Sequence, residues 1–176
     1  MTFDVSHPEI RDAVRRALEE DIGSGDVTSQ YTVPADLKAS GGFYAREPIT
    51  LAGIELLPLI YELRGGIDEL QLIKKSGESA GPGDLLATVA GRARTLLECE
   101  RVALNFIQRL SGVATLARRY TKAVEGTRCR ILDTRKTTPG LRRLEKMAAA
   151  AGGVTNHRLG LFDAILIKNN HITAAG

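Results

Sequence analysis

The period of the apolar residues changes near residue 95, and that change limits the folds open to this chain. Before it, Leu37, Ala39, Gly41, Phe43 and Ala45 alternate with polar or small positions, as in a strand with one covered face. Short apolar runs follow at 70–73 and 85–89, with the turn-rich Ser76-Gly77-Glu78-Ser79-Ala80-Gly81-Pro82-Gly83-Asp84 between them. A short helix is predicted over 55–63. From Thr95 the spacing turns helical: Leu97, Leu104, Phe106, Ile107 and Leu110 keep it up to Ser111-Gly112. A second helix is predicted over 114–124, stopped by Gly126. The pattern thus predicts a small antiparallel β unit with little helix, then a region of different architecture.

Ser6-His7-Pro8-Glu9 has capping-box spacing, and Ile10, Val14 and Leu18 recur every four residues. An amphipathic helix is expected to about Glu20, ended by the glycines and acids of 21–26. Toward the other end, 129–133 reads as an apolar strand and 141–151 as a helix between Pro139-Gly140 and Gly152-Gly153. Residues 164–167 read as a strand ending at Lys168. Strand, helix and strand predict a right-handed parallel crossover. Thr155-Asn156-His157-Arg158 fits this poorly, because five residues cannot carry a parallel crossover to Ala164. That segment is either a loop folded over the sheet or a topological irregularity.

Charge is unevenly spread. Residues 1–30 hold seven acids against three bases, whereas 128–158 hold eight bases against two acids. A basic segment in a near-neutral chain implies an anionic partner. No aromatic residue lies between 128 and 158, so bases have no stacking platform and nucleic acid is not expected. No apolar run approaches the ~20 residues of a membrane helix. The start, MTFDVSHPEI, lacks the pattern of a secretory signal. Cys99 and Cys129 have no metal-ligand spacing and suggest a reducing compartment.

Ligand groups in parallel α/β folds gather at the carboxyl ends of strands. Arg135, Lys136 and Lys168 sit directly after the two predicted strands, where they repel one another unless an anion lies between them. Arginine can grip a carboxylate through two parallel bonds, and lysine suits phosphate as a point charge. His157 stands beside Arg158 and could orient the same anion. His7 and His171 show no ligand spacing. Lys136-Thr137-Thr138 has no glycine run before it and is no phosphate loop. Arg101 lies three residues after Glu98 on the long helix, which by itself reads as a surface ion pair.

Asp133-Thr134-Arg135-Lys136-Thr137-Thr138-Pro139-Gly140-Leu141-Arg142 resembles the signature of the quinolinate phosphoribosyltransferases. Asn156-His157-Arg158-Leu159-Gly160-Leu161-Phe162-Asp163, followed by Leu166-Ile167-Lys168-Asn169-Asn170-His171, resembles a second. Glu100-Arg101-Val102-Ala103-Leu104-Asn105 and Gly25-Asp26-Val27-Thr28 match two weaker ones. The resemblance implies an α+β N-terminal open sandwich domain over 1–112 and the start of an irregular α/β barrel over 113–176. It implies condensation of quinolinate with phosphoribosyl pyrophosphate to nicotinate mononucleotide, carbon dioxide and pyrophosphate, with magnesium. By position, Arg101, Arg135, Lys136, His157, Arg158 and Lys168 would bind substrate, with Lys136 and Lys168 also the catalytic candidates. Arg101 would reach into a neighbouring subunit of a homodimer or higher even oligomer. A cytoplasmic location is expected, with no nucleic-acid or membrane partner.

A complete α/β barrel takes ~250 residues. By this resemblance the acids for ribose and magnesium, and a glycine-rich phosphate loop, are expected beyond Gly176, and the 176-residue chain alone is expected to be inactive. Two other readings are a molybdenum-transport-associated relative of the same fold and a non-catalytic fragment that binds anions or dimerises. The cationic set around Arg101, Arg135 and Arg158 favours quinolinate.

Overall fold

His7, rather than Ser6, caps the first helix: its Nδ1 accepts from the Glu9 backbone N–H at 3.2 Å. The Ser6 hydroxyl turns back to donate to Asp4. In this computed structural model, which describes residues 4–176, helix α1 spans Pro8–Ile22 and ends at Gly23. Pro8 suits the first turn, where its missing N–H has no partner to lose. Ile10, Ala13, Val14 and Leu18 form its buried stripe. A short helix α2, Val27–Thr32, follows; it was not legible from periodicity, and Asp26 caps it by accepting from Ser29 N at 3.1 Å.

Strands β1 (Lys38–Tyr44), β3 (Glu69–Leu72) and β5 (Leu85–Arg92) form an antiparallel sheet in the order β1-β5-β3. The register runs from Lys38 opposite Arg92 to Tyr44 opposite Leu85, with an irregularity at Phe43/Tyr44. Central β5 buries Leu86, Ala87 and Val89, while edge strand β1 buries only Phe43. Strands β2 (Ile49–Thr50) and β4 (Ser79–Ala80) pair separately. A 3-10 turn at Ile54–Leu56 and helix α3 (Leu57–Glu62) supply the densest part of the core, including Ile54, Leu56, Leu57 and Ile60.

Helix α4 is one element, Ala93–Ala123, of 31 residues. The break expected at Ser111-Gly112 does not occur. Ser111 is buried, its Oγ accepting from Ala52 N at 3.0 Å and donating to Ala52 O at 3.3 Å. Leu110 and Ala114 are buried on either side of the pair. Tertiary contacts thereby override a local breaker worth about 1 kcal/mol. The predicted domain boundary at 112/113 therefore lies inside a continuous helix.

The 129–168 region departs from its expected form. Leu132 pairs in parallel with Thr155, not with 164–167, and the pairing is a single bridge. Helix α5 (Arg142–Ala151) makes the crossover between them. Residues 164–167 form no strand and are exposed. The segment that fitted poorly is thus the true partner, reached through a crossover of adequate length. Helix α6, Asn169–Ala175, follows with no buried residue. At the junction of α5 and α4, Gly152 has no room for a side chain: a Cβ there would lie 2.4 Å from Ala114 O and 2.5 Å from Ala117 Cβ. Among the described residues no helix is long and apolar enough to cross a membrane.

Candidate functional site

Two loops leave the Leu132–Thr155 bridge side by side. Asp133 N donates to Thr155 O at 3.1 Å and Thr155 N donates to Ile131 O at 2.9 Å. Residues 133–138 continue from one side and 156–159 from the other. The bridge therefore sets the loop bearing Arg135 and Lys136 beside the loop bearing His157 and Arg158; these two loops are the lips of the candidate site, and the gap between them is its candidate cleft.

Helix α5 fixes both lips through three side chains on one face, at the helical spacing of 142, 145 and 146. Lys146 Nζ donates to Asp133 Oδ1 at 2.6 Å and to His157 O at 2.9 Å. Asp133 also accepts from His157 N at 2.7 Å and from Asn156 Nδ2 at 2.7 Å. The Arg142 guanidinium donates to Thr137 Oγ1 at 3.1 Å and to Leu159 O at 3.3 Å, one acceptor in each loop. Glu145 accepts from Thr138 N at 3.1 Å and Thr138 Oγ1 at 2.7 Å, and from Arg109 Nη2 at 2.7 Å. Burial pushes the Glu145 carboxyl up, but the bonds from Thr138 and Arg109 outweigh this and hold it below its ordinary range. Asp163 closes the second loop by accepting from Gly160 N and Leu159 N; those bonds hold its carboxyl low.

The lips offer donors in need of acceptors. Arg135 is half-buried, and its Nε has no partner, as is also true of Asn156 Oδ1. A buried guanidinium N–H without an acceptor is unfavourable until a ligand supplies one. His157 Nδ1 accepts from Arg158 N at 2.7 Å. That bond needs the Nδ1 lone pair, so the ring proton sits on Nε2 and is available to a ligand. Arg158 Nη1 donates to Ala164 O at 2.9 Å, which braces it within its own loop.

Asp133, Glu145 and Asp163 are all committed to protein donors, so none of these three carboxylates is free to repel an anion. The arrangement suits a small anion with several acceptors. The same commitments leave these acids unfit as magnesium ligands. Among the described residues, no three of His, Cys, Asp or Glu gather as a metal site. The expected magnesium thus finds no ligand set among them.

Family comparisons divide the chain at the same helix. The model for "Quinolinate phosphoribosyl transferase, N-terminal domain" matches residues 26–111, and that for the C-terminal domain matches 113–176. The chain belongs to the quinolinate phosphoribosyl transferase family. It is 43% identical to a nicotinate-nucleotide pyrophosphorylase [carboxylating] of Mycobacterium leprae, covering 100% of this chain and 63% of that protein. A probable nicotinate-nucleotide pyrophosphorylase [carboxylating] of Bacillus subtilis is 41% identical over 98% of this chain and 59% of its own length. The crystal structure of the Ehrlichia chaffeensis nicotinate-nucleotide pyrophosphorylase superposes with a TM-score of 0.90 at 36% identity, covering 100% of this chain and 62% of that one. The chain thus spans less than two thirds of the length of these relatives.

Of the residues picked out by the family signatures, Arg135 lies on one of the two adjoining loops of this quinolinate phosphoribosyl transferase fold, and His157 and Arg158 lie on the other. Lys136 is beside them, exposed, with its backbone N donating to Thr134 Oγ1 at 3.0 Å. Lys168 lies at the exposed start of α6, where its backbone N donates to His171 Nδ1 at 3.0 Å. Arg101 is exposed on α4, two helical turns before Arg109. Among the described residues, no hydrogen bond ties Lys168 or Arg101 to the other three. The expected Glu98–Arg101 pair is absent; Glu98 binds Arg64 at 2.5 Å instead. Sequence reading missed Arg142, Glu145, Lys146 and Asn156 as organisers of the site. The available signal was two charges at 145–146 embedded in a helix that is otherwise apolar from Leu144 onward.

Proposed function

We propose that the cleft between 133–138 and 156–159 binds quinolinate, and that the chain serves phosphoribosyl transfer to it with decarboxylation. The observation that carries this reading is Arg135, whose buried Nε lacks an acceptor, on a loop tied through Asp133, Lys146 and Arg142 to the loop that bears His157 and Arg158. Quinolinate has two adjacent carboxylates and needs several fixed cations to hold it. The reaction itself asks the protein for little covalent chemistry. The ring nitrogen gives its electron pair to the anomeric carbon of phosphoribosyl pyrophosphate, and the bond to pyrophosphate breaks. The ring nitrogen, now positive, draws the electron pair of the adjacent carbon–carboxylate bond as carbon dioxide leaves, and that carbon takes a proton. Fixed cations that orient the ring and balance charge supply positioning and electrostatics, the two large contributions available here.

In this reading Arg135, His157 and Arg158 hold the carboxylates, and Lys136 and Lys168 are the catalytic cations. Magnesium would offset pyrophosphate charge; no residue described here is assigned to it. Arg101 acts across a homodimer, which fits its exposure on α4. The decisive measurement is calorimetric titration of quinolinate, with and without phosphoribosyl pyrophosphate. Saturable quinolinate binding that is lost in Arg135→Ala supports the reading; equal binding by both proteins overturns it. These 176 residues alone are expected to form no nicotinate mononucleotide, and turnover by them would refute that.

A further inference from the structure

We propose that Lys146 and Asp133 are a positioning pair, which sets the spacing of the two cationic lips rather than stabilising the core. The proposal rests on reading the cleft as an anion site.

The Lys146 side chain is 1% exposed and that of Asp133 is 9% exposed. Burying both charges is a poor way to build a core, because apolar residues of similar size commonly serve as well or better. Leu144, Met147 and Ala148 already fill the apolar side of α5. What the pair holds is specific. Both polar groups of the peptide backbone at His157 are engaged, the N–H by Asp133 at 2.7 Å and the C=O by Lys146 at 2.9 Å. Asn156 Nδ2 adds a bond to Asp133 and another to Lys146 O at 2.8 Å. Arg135 is two residues beyond Asp133, and Arg158 follows His157 directly. The bridge at Leu132–Thr155 fixes the loops on one side, and Arg142 joins them on the other. Between those ties, the ion pair holds both backbone polar groups of His157.

The pair is neutral as a unit. Removing both charges therefore leaves the net charge of the cleft unchanged, which separates positioning from attraction. The test compares Lys146→Met with the double variant Asp133→Leu/Lys146→Met. Thermal midpoint, amide hydrogen exchange at His157 and Arg158, and quinolinate affinity are measured on each. The single variant strands a buried carboxylate and is expected to lose both midpoint and affinity. The double variant is expected to regain the midpoint while its His157 amide exchanges about tenfold faster or more. Its quinolinate affinity is expected to fall about tenfold to a hundredfold, the scale of displacing a binding group by roughly an ångström.

A double variant with native exchange and native affinity would overturn the proposal. Should the double variant not fold, Asn156→Ala decides, since it removes the bonds to the Asp133 carboxylate and to Lys146 O and leaves both charges in place. Faster His157 exchange with weaker quinolinate binding is expected there, and native values for both would overturn the proposal. Failure of the native chain to bind quinolinate would instead sink the site reading, while the ligand-free exchange data still decide the clamp.

Discussion

Gly152 offers a measurement of how tightly α5 must sit on α4. Replacing it with alanine adds one methyl group, which would lie 2.4 Å from Ala114 O and 2.5 Å from Ala117 Cβ. The Arg118 backbone nitrogen would be 3.0 Å away. All three belong to the C-terminal third of a continuous 31-residue helix, and two backbone atoms and a Cβ have no rotamer by which to swing aside. The φ of Gly152 is −75°, so alanine meets no backbone penalty and the effect isolates overpacking. Overpacking of this kind costs about 1–3 kcal/mol. For a chain of this size each kcal/mol is worth about 2–4 °C, so the midpoint should fall by about 2–12 °C. Gly112→Ala is the control. It lies in the same helix with nothing within 4 Å, and should gain about 0.5–1 kcal/mol from helix propensity. Differential scanning calorimetry of both variants reads the contrast directly. Equal midpoints for the two would refute the claim that α5 is in hard contact with α4. Because α5 carries Arg142, Glu145 and Lys146, Gly152→Ala should also weaken quinolinate binding.

Arg135→Lys keeps the charge but loses the planar fork. A charge-assisted bond is worth ~1.5–3 kcal/mol, so affinity for quinolinate should fall about ten- to a hundredfold at an unchanged midpoint; calorimetric affinity equal to native would remove Arg135 from the site. In the proposed homodimer, Arg101→Ala and Arg135→Ala chains each lose quinolinate binding, but an equal mixture should regain about a quarter of the native sites, from hybrid dimers with one intact site. No recovery after subunit exchange would place both arginines in one subunit's site. Glu145 has a folded pKa below its ordinary 4.5, so the unfolded chain binds the extra proton first. Its contribution to stability is present above about pH 4.5 and is lost as pH falls through the lower folded value. Midpoints recorded from pH 6 to pH 3 should fall less steeply for Glu145→Gln than for the native chain; parallel curves would deny Glu145 that role.

The strands of the N-terminal sheet were legible because their period reports which face is covered, and that is a local property. The continuity of α4 was not, since Ser111-Gly112 reads as a breaker until the Ala52 backbone meets it from 59 residues away. Pairing was harder still. Apolar content made 164–167 look like a strand, but Thr155 took the bridge because α5 returns the chain there. At the site, the cations were visible as a basic segment and through family signatures. The side chains that organise them were not, because a buried lysine and a surface lysine are written with the same letter. Glu98 shows the same limit: its partner comes from 34 residues away rather than from the adjacent helical turn.

The unbroken α4 also bears on motion. At 1.5 Å per residue its 31 residues form a rod about 46 Å long. Near one end Arg94 is anchored to Val33 O at 2.8 Å, and farther along Arg109 is anchored to Glu145. A hinge between the parts on either side of residue 112 would have to break consecutive helical hydrogen bonds at a point where Ser111 is also tied to Ala52. The rod therefore bars the clamshell bending by which many two-lobed proteins enclose a small ligand. Opening and closing of the proposed quinolinate site are then left to the loops 133–138 and 156–159 themselves rather than to a swing of the two halves.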